Sequence, residues 1–126
     1  MQNYLMIALG AILGAFSRYG LGEWAKGQLG EQFVWGTLLI NLIGSFVLGL
    51  FLTLHLDRGL FTNQIRLLVA VGWCASFTTY STFSWDTLRY LQDGNYRLAL
   101  GNVFFTLVGC LGATWLGALL GRSLSI

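Results

Sequence analysis

The charged residues of this 126-residue chain are placed so that they leave four long apolar runs between them. That spacing limits the fold more than any single motif does. The runs extend over about residues 4–22, 33–54, 67–91 and 98–121. The second holds no formal charge, and the third is uncharged from just after Arg66 to just before Asp86. About 20 apolar residues in a helix cover the roughly 30 Å hydrocarbon core of a bilayer. The connections, around residues 23–32, 55–64 and 93–96, are short and hold half of the charges.

Composition points the same way. Only 10% of residues are charged and the mean hydropathy is +0.67, whereas a soluble domain carries about 25% charged residues. So little polar surface cannot cover a water-exposed globule. The expected fold is an all-α integral membrane protein, a single transmembrane domain over residues 1–126 with four transmembrane helices. The first run has no basic segment before it and continues into Arg18 and Tyr19, so a retained helix is expected rather than a cleaved signal peptide. A net charge of +2 provides neither a nucleic-acid footprint nor a polybasic membrane patch. Cys74 and Cys110 lie within apolar stretches and read as packing residues.

Orientation in a membrane follows the side on which Lys and Arg collect. Arg58, Arg66 and Arg122 fall on one side of a four-helix topology. Lys26, Arg89 and Arg97 fall on the other, with Arg18 close to it. This balance fits either a weakly biased protein oriented by other signals or insertion in both orientations, which would permit an antiparallel homodimer. Gly10 and Gly14 form a G-x-x-x-G on the first helix, and Gly109, Ala113, Gly117 and Gly121 form a longer small-residue ridge on the fourth. Such ridges let helices approach closely in lipid, within a chain or between chains.

Polar residues at membrane depth carry more information, because an unsatisfied polar group there costs several kcal/mol. Thr37, Asn41 and Ser45 share one ridge of the second helix, and Asn102, Thr106, Cys110 and Thr114 share one on the fourth. These stripes admit two readings, hydrogen bonding between helices and a polar path through the bundle. Between Ser76 and Ser84 the third run contains six Ser or Thr residues and three aromatic ones. Hydroxyls compete for backbone hydrogen bonds and β-branched residues lose rotamer freedom, so the helix is expected to break near its middle, around residues 75–79. Broken helices at midplane are a recurring way to build ion sites. No Asp or Glu lies at the centre of a run, which disfavours a cation or proton relay. The available donors are neutral: the Asn41 amide, the hydroxyls, and the C–H edges of Tyr80 and Phe83. Arg18 could attract an anion or simply snorkel to the interface.

Three ordered motifs in these same stretches carry a family resemblance. Gly10 to Gly14 followed by Ala15-Phe16-Ser17-Arg18-Tyr19 resembles the first-helix pattern of the CrcB/Fluc fluoride channels. Gly36-Thr37-Leu38-Leu39-Ile40-Asn41-Leu42-Ile43-Gly44 is similar to their second-helix pattern, and Thr78-Thr79-Tyr80-Ser81-Thr82-Phe83-Ser84 to their third. The resemblance implies a fluoride-selective channel that exports fluoride passively, without an energy source. Fluoride that enters a cell as neutral HF is trapped inside as the anion, so such efflux lowers its toxicity. The implied assembly is a dual-topology, antiparallel homodimer in a bacterial inner membrane, with two pathways lined by both subunits. At matching positions Asn41 would offer an amide donor, and Tyr80 and Phe83 their ring edges. Thr37, Ser81, Thr82, Asn102, Thr106 and Cys110 would belong to the polar track, and Arg18 to the vestibule. A structural Na+ on the dimer axis would be held by the backbone carbonyls of Ala75 and Thr78. The chain departs from the family at Ala75-Ser76, where Gly-Gly is common, at Tyr80, commonly Phe, and at Cys110, often Ser.

Two other classes compete. A proton-coupled exporter of the small multidrug resistance type needs a membrane-embedded carboxylate. Here the first helix has none before Glu23, and Asp86 reads as a charge at a helix end. A structural subunit without transport is the second. An enzyme is disfavoured, since His55 has no ligand partners in spacing and neither cysteine has a paired base.

Overall fold

Residues 1–124 are described by a computed structural model, and among them every regular element is helical. Helix α1 spans Gln2–Leu29 and α2 spans Trp35–Leu56. Helix α3 winds through three consecutive stretches, Asn63–Arg66, Leu67–Cys74 and Ala75–Phe77, the middle one in π-helical form. Helix α4 spans Tyr80–Gln92 and α5 spans Tyr96–Ser123. Three of these, α1, α2 and α5, are long and apolar enough to cross a membrane. The third apolar run is divided between α3 and α4, neither of which reaches that length.

Helix α1 continues seven residues past the end of its expected span, because charges end an apolar run without ending a helix. Glu23 and Lys26 face each other one turn apart at 2.8 Å. The helix stops at Gly30, whose φ of 79° favours glycine and whose N–H turns back to the Lys26 carbonyl.

Glycines set the packing. The α1 ridge lies against α3: a Cβ on Gly72 would sit 2.7 Å from the Ile7 oxygen and 2.8 Å from the Gly10 Cα. The α5 ridge lies against α2, where a Cβ on Gly117 would overlap the Phe46 carbonyl oxygen and come within 2.8 Å of the Leu50 nitrogen. Gly49 meets the Thr114 backbone, and Gly121 meets Thr53. The paired positions rise together along both chain segments, so α2 and α5 run parallel, as do α1 and α3. Both weak small-residue motifs are therefore used inside one chain.

The interior is narrow. Leu38, Ile40, Phe51, Leu67 and Phe77 are buried, yet Phe16, Leu100, Leu111 and Trp115 each expose more than 60% of their surface. So much exposed apolar area marks lipid or another protein as the surrounding medium.

Candidate ion pathway at the helix break

The chain between α3 and α4 is shaped by competition for backbone groups. Thr78 and Thr79 are extended, with ψ of 158° and 116°. In an unbroken helix the Thr79 amide would bond to the Ala75 carbonyl. Here it donates to Asn41 Oδ1 at 2.8 Å, while Asn41 Nδ2 donates to the Thr79 carbonyl at 3.0 Å. One buried side chain thus satisfies both backbone groups of Thr79. Close approach at this point requires Gly44, since a Cβ there would overlap the Thr78 methyl group.

Thr79 also starts the next helix. Its Oγ1 accepts from the Thr82 amide at 3.2 Å, closing an N-terminal cap on α4. The same hydroxyl donates to Thr82 Oγ1 at 3.0 Å and lies 3.3 Å from Ser81 Oγ. The break therefore sets the C-terminal carbonyls of α3 close to the N-terminal amides of α4, two helix ends of opposite partial charge. Arg18 reaches this point: its Nη1 donates to the Thr78 carbonyl at 3.5 Å.

Beside the break lies a groove of about 610 Å³ between α2, α4 and α5. It gathers Asn41, Thr78, Tyr80, Phe83, Thr106 and Cys110 from the expected residues, and adds Ser45 and Thr114. The Tyr80 and Phe83 rings lie 5.5 Å apart, tilted by 54°. Among the described residues no carboxylate lines the groove. Tyr80 is 79% exposed, so one side of the groove is open in a single chain.

The other expected residues lie outside it. Ser81 and Thr82 belong to the cap. Ala75 stands on α3, its carbonyl deprived of the Thr79 amide. Asn102 is fully buried and donates to Thr87 Oγ1 at 2.9 Å, while Thr106 Oγ1 donates to Asn102 Oδ1 at 3.4 Å. Thr37 Oγ1 donates to Asp86 Oδ2 at 3.0 Å. That bond corrects the reading of Asp86 as a charge at a helix end: α4 continues to Gln92, and the carboxylate is half-buried against α2. The spacing held part of the signal, since Asp86 lies three residues after Phe83, one helical turn on.

With this geometry in view, comparison with known proteins is informative. Residues 5–118 match the family model described as CrcB-like protein, Camphor Resistance (CrcB). A protein of Koribacter versatilis named fluoride-specific ion channel FluC is 42% identical over 98% of both chains. One of the same name from Thermus thermophilus is 44% identical over 98% of this chain and 97% of its own. Another from Opitutus terrae is 45% identical over 93% of this chain and 90% of its own. Matched along nearly its whole length, and carrying the buried asparagine and the Thr-rich break in one site, this chain belongs to the CrcB family.

Proposed function

We propose that this chain is a fluoride-selective channel, not an enzyme, and that it exports fluoride passively down its electrochemical gradient. The observation that carries this reading is the groove beside the break, where neutral donors and two ring edges meet and no carboxylate of the described residues intrudes. A small anion that sheds water needs donors of this kind, and fixed negative charge along its path would repel it. The Tyr80 and Phe83 edges are electropositive, and the amides that begin α4 add the positive end of a helix. The names borne by the relatives give the anion its identity.

In this reading α3 and α4 are the two halves of one interrupted crossing, the third of four spans in chain order. The functional unit is an antiparallel homodimer in a bacterial inner membrane. The open side of the groove supports it: exposed Tyr80, Leu107 and Leu111 leave a wall that an inverted second copy would complete. Ser45 and Thr114 then join Asn41, Thr106 and Cys110 along the path, while Thr37 and Asn102 continue the polar column beyond it through Asp86 and Thr87.

The end of α3 fits a structural Na+. Carbonyl oxygens are hard ligands, and the Ala75 carbonyl is released from its helical partner by Asn41. The Thr78 carbonyl would share its lone pairs with Arg18. Such an ion would supply positive charge where the ends of two α3 helices meet.

The test is flux. Purified protein in liposomes loaded with fluoride or chloride is expected to release fluoride much faster, as followed with ion-selective electrodes. Silent vesicles, or equal rates for both ions, would overturn the reading.

A further inference from the structure

A second cavity, of about 390 Å³, lies between the N-terminal ends of α2 and α5. Its walls are Phe33, Trp35, Leu38, Gly101 and Phe105, and among the described residues its only charged lining residue is Arg97. The volume falls within the range of roughly 300–1,000 Å³ typical of small-molecule sites. This cavity is separate from the groove beside the break. Nine residues make about two and a half helical turns, so Gly101 and Cys110 project from opposite sides of α5, as do Phe105 and Thr114.

The furrow is built from aromatic contacts and one missing side chain. Phe33 meets Trp35 edge to face at 4.9 Å and stacks on Tyr90 at 6.3 Å. At Gly101 a Cβ would meet only the Phe105 ring, at 4.0 Å, so the space there is unfilled. Trp35 and Tyr96, the first residues of α2 and α5, are 40% and 64% exposed, as expected of aromatic residues at the level of lipid headgroups.

Arg97 provides the charge argument. At this end of the bundle Lys26 is committed to Glu23 at 2.8 Å. Arg97 is exposed and makes no hydrogen bond or ion pair among the described residues. A free guanidinium above an apolar furrow complements a ligand with an anionic head and a hydrocarbon tail. We infer that this furrow is a binding site for an anionic phospholipid, its acyl chain along Phe33, Leu38, Gly101 and Phe105 and its headgroup phosphate on Arg97. Any lipid tail can fill such a furrow. The arginine adds a preference for net negative headgroups, and a planar guanidinium can grip a phosphate with two parallel N–H bonds.

The experiment is native mass spectrometry of the full chain in detergent containing equimolar phosphatidylglycerol and phosphatidylcholine. One basic residue near the membrane surface corresponds to about a fivefold preference for the anionic lipid. Phosphatidylglycerol adducts should dominate by that factor in the unmodified protein, persist in Arg97→Lys and fall to parity in Arg97→Gln. Parity in the unmodified protein, or an unchanged preference in Arg97→Gln, would overturn the inference. Gly101→Leu keeps the arginine and fills the furrow, so it should reduce adducts of both lipids. If it does not, the furrow is not the site. Adducts on the monomer that vanish from the dimer would show that a second copy covers this face, and would also overturn it.

Discussion

The seam between α2 and α5 and the junction between α3 and α4 solve opposite problems with neighbouring residues. Along the seam Gly49 and Gly117 bring two uninterrupted helices into backbone contact, and Gly121 makes room for the Thr53 side chain. At the junction two helices meet across extended Thr78 and Thr79, and side chains bind the backbone there: Asn41 holds Thr79, and Thr79 caps α4. The difference teaches where lipid permits irregular backbone. It is tolerated only where the freed groups are buried in protein or line a cavity, and here Asn41 binds both those of Thr79. The seam joins its helices by direct contact, and the junction holds an irregular backbone through side-chain hydrogen bonds.

If this division holds, the seam should fail all at once. Gly117→Val puts a branched side chain where one Cβ already overlaps the Phe46 carbonyl. Backbone cannot move aside as a flexible side chain can, so the cost is expected to exceed the roughly 1–3 kcal/mol of ordinary overpacking. The variant should lose its monodisperse peak in size-exclusion chromatography, and fluoride flux with it. A well-folded but inactive Gly117→Val protein would show that the seam serves conduction more than packing.

The junction and its groove should separate stability from flux. Phe83→Ala removes one ring from the groove wall and breaks no hydrogen bond of that side chain. Fluoride efflux is expected to fall at least about tenfold, equivalent to about 1.4 kcal/mol in the barrier, with little change in thermal stability. Asn41→Asp should lower both. Its second carboxylate oxygen would face the Thr79 carbonyl in place of an N–H, and an unsatisfied buried acceptor costs about 1–3 kcal/mol. Flux assays paired with thermal unfolding in detergent distinguish the two. If Asn41→Asp retained full stability, the clamp on Thr79 would not be what holds the break.

A smaller effect is expected at the cap. Thr79→Val keeps the shape but removes the hydroxyl that accepts from the Thr82 amide, a loss of about 1 kcal/mol by analogy with other N-caps. The unfolding midpoint should drop by less than in Asn41→Asp. An equal drop would move the main support of the break from α2 to the cap itself.

Much of this contrast was legible in the sequence, for specific reasons. The apolar runs marked α1, α2 and α5 because lipid demands long charge-free helices. The cluster of Ser and Thr between Ser76 and Ser84 marked the stretch where α3 gives way to α4, because hydroxyls compete with helical hydrogen bonds. The i, i+4 ridges placed Asn41 with Thr37 and Thr106 with Cys110, but a ridge does not state what it faces. Asn41 binds Thr79, and Thr37 binds Asp86, two contacts that join residues 38 and 49 positions apart. The π-helical winding of Leu67–Cys74 left no sequence signal either. The same stretch lies against the Gly10–Gly14 ridge of α1, a tertiary contact that local composition does not state. Asp86 was misplaced because its charge ended an apolar run, and a charge does not end a helix.

The smallest effect gives the finest test of whether the groove conducts. Cys110 is half-buried, lies on the groove wall, and has no hydrogen-bond partner among the described residues. A thiol is a weak donor, and Ser at the same position is a stronger one of similar size. If ions pass along this wall, Cys110→Ser should change fluoride flux by a factor of about two to three, or less than about 0.7 kcal/mol. Stability should stay the same, because the thiol supports no other group. If the groove were only a lipid-filled furrow, the substitution would leave flux unaltered. The seam offers no comparable position: at Gly49 and Gly117 a helix already meets backbone, and no side chain can be added there without first forcing the helices apart.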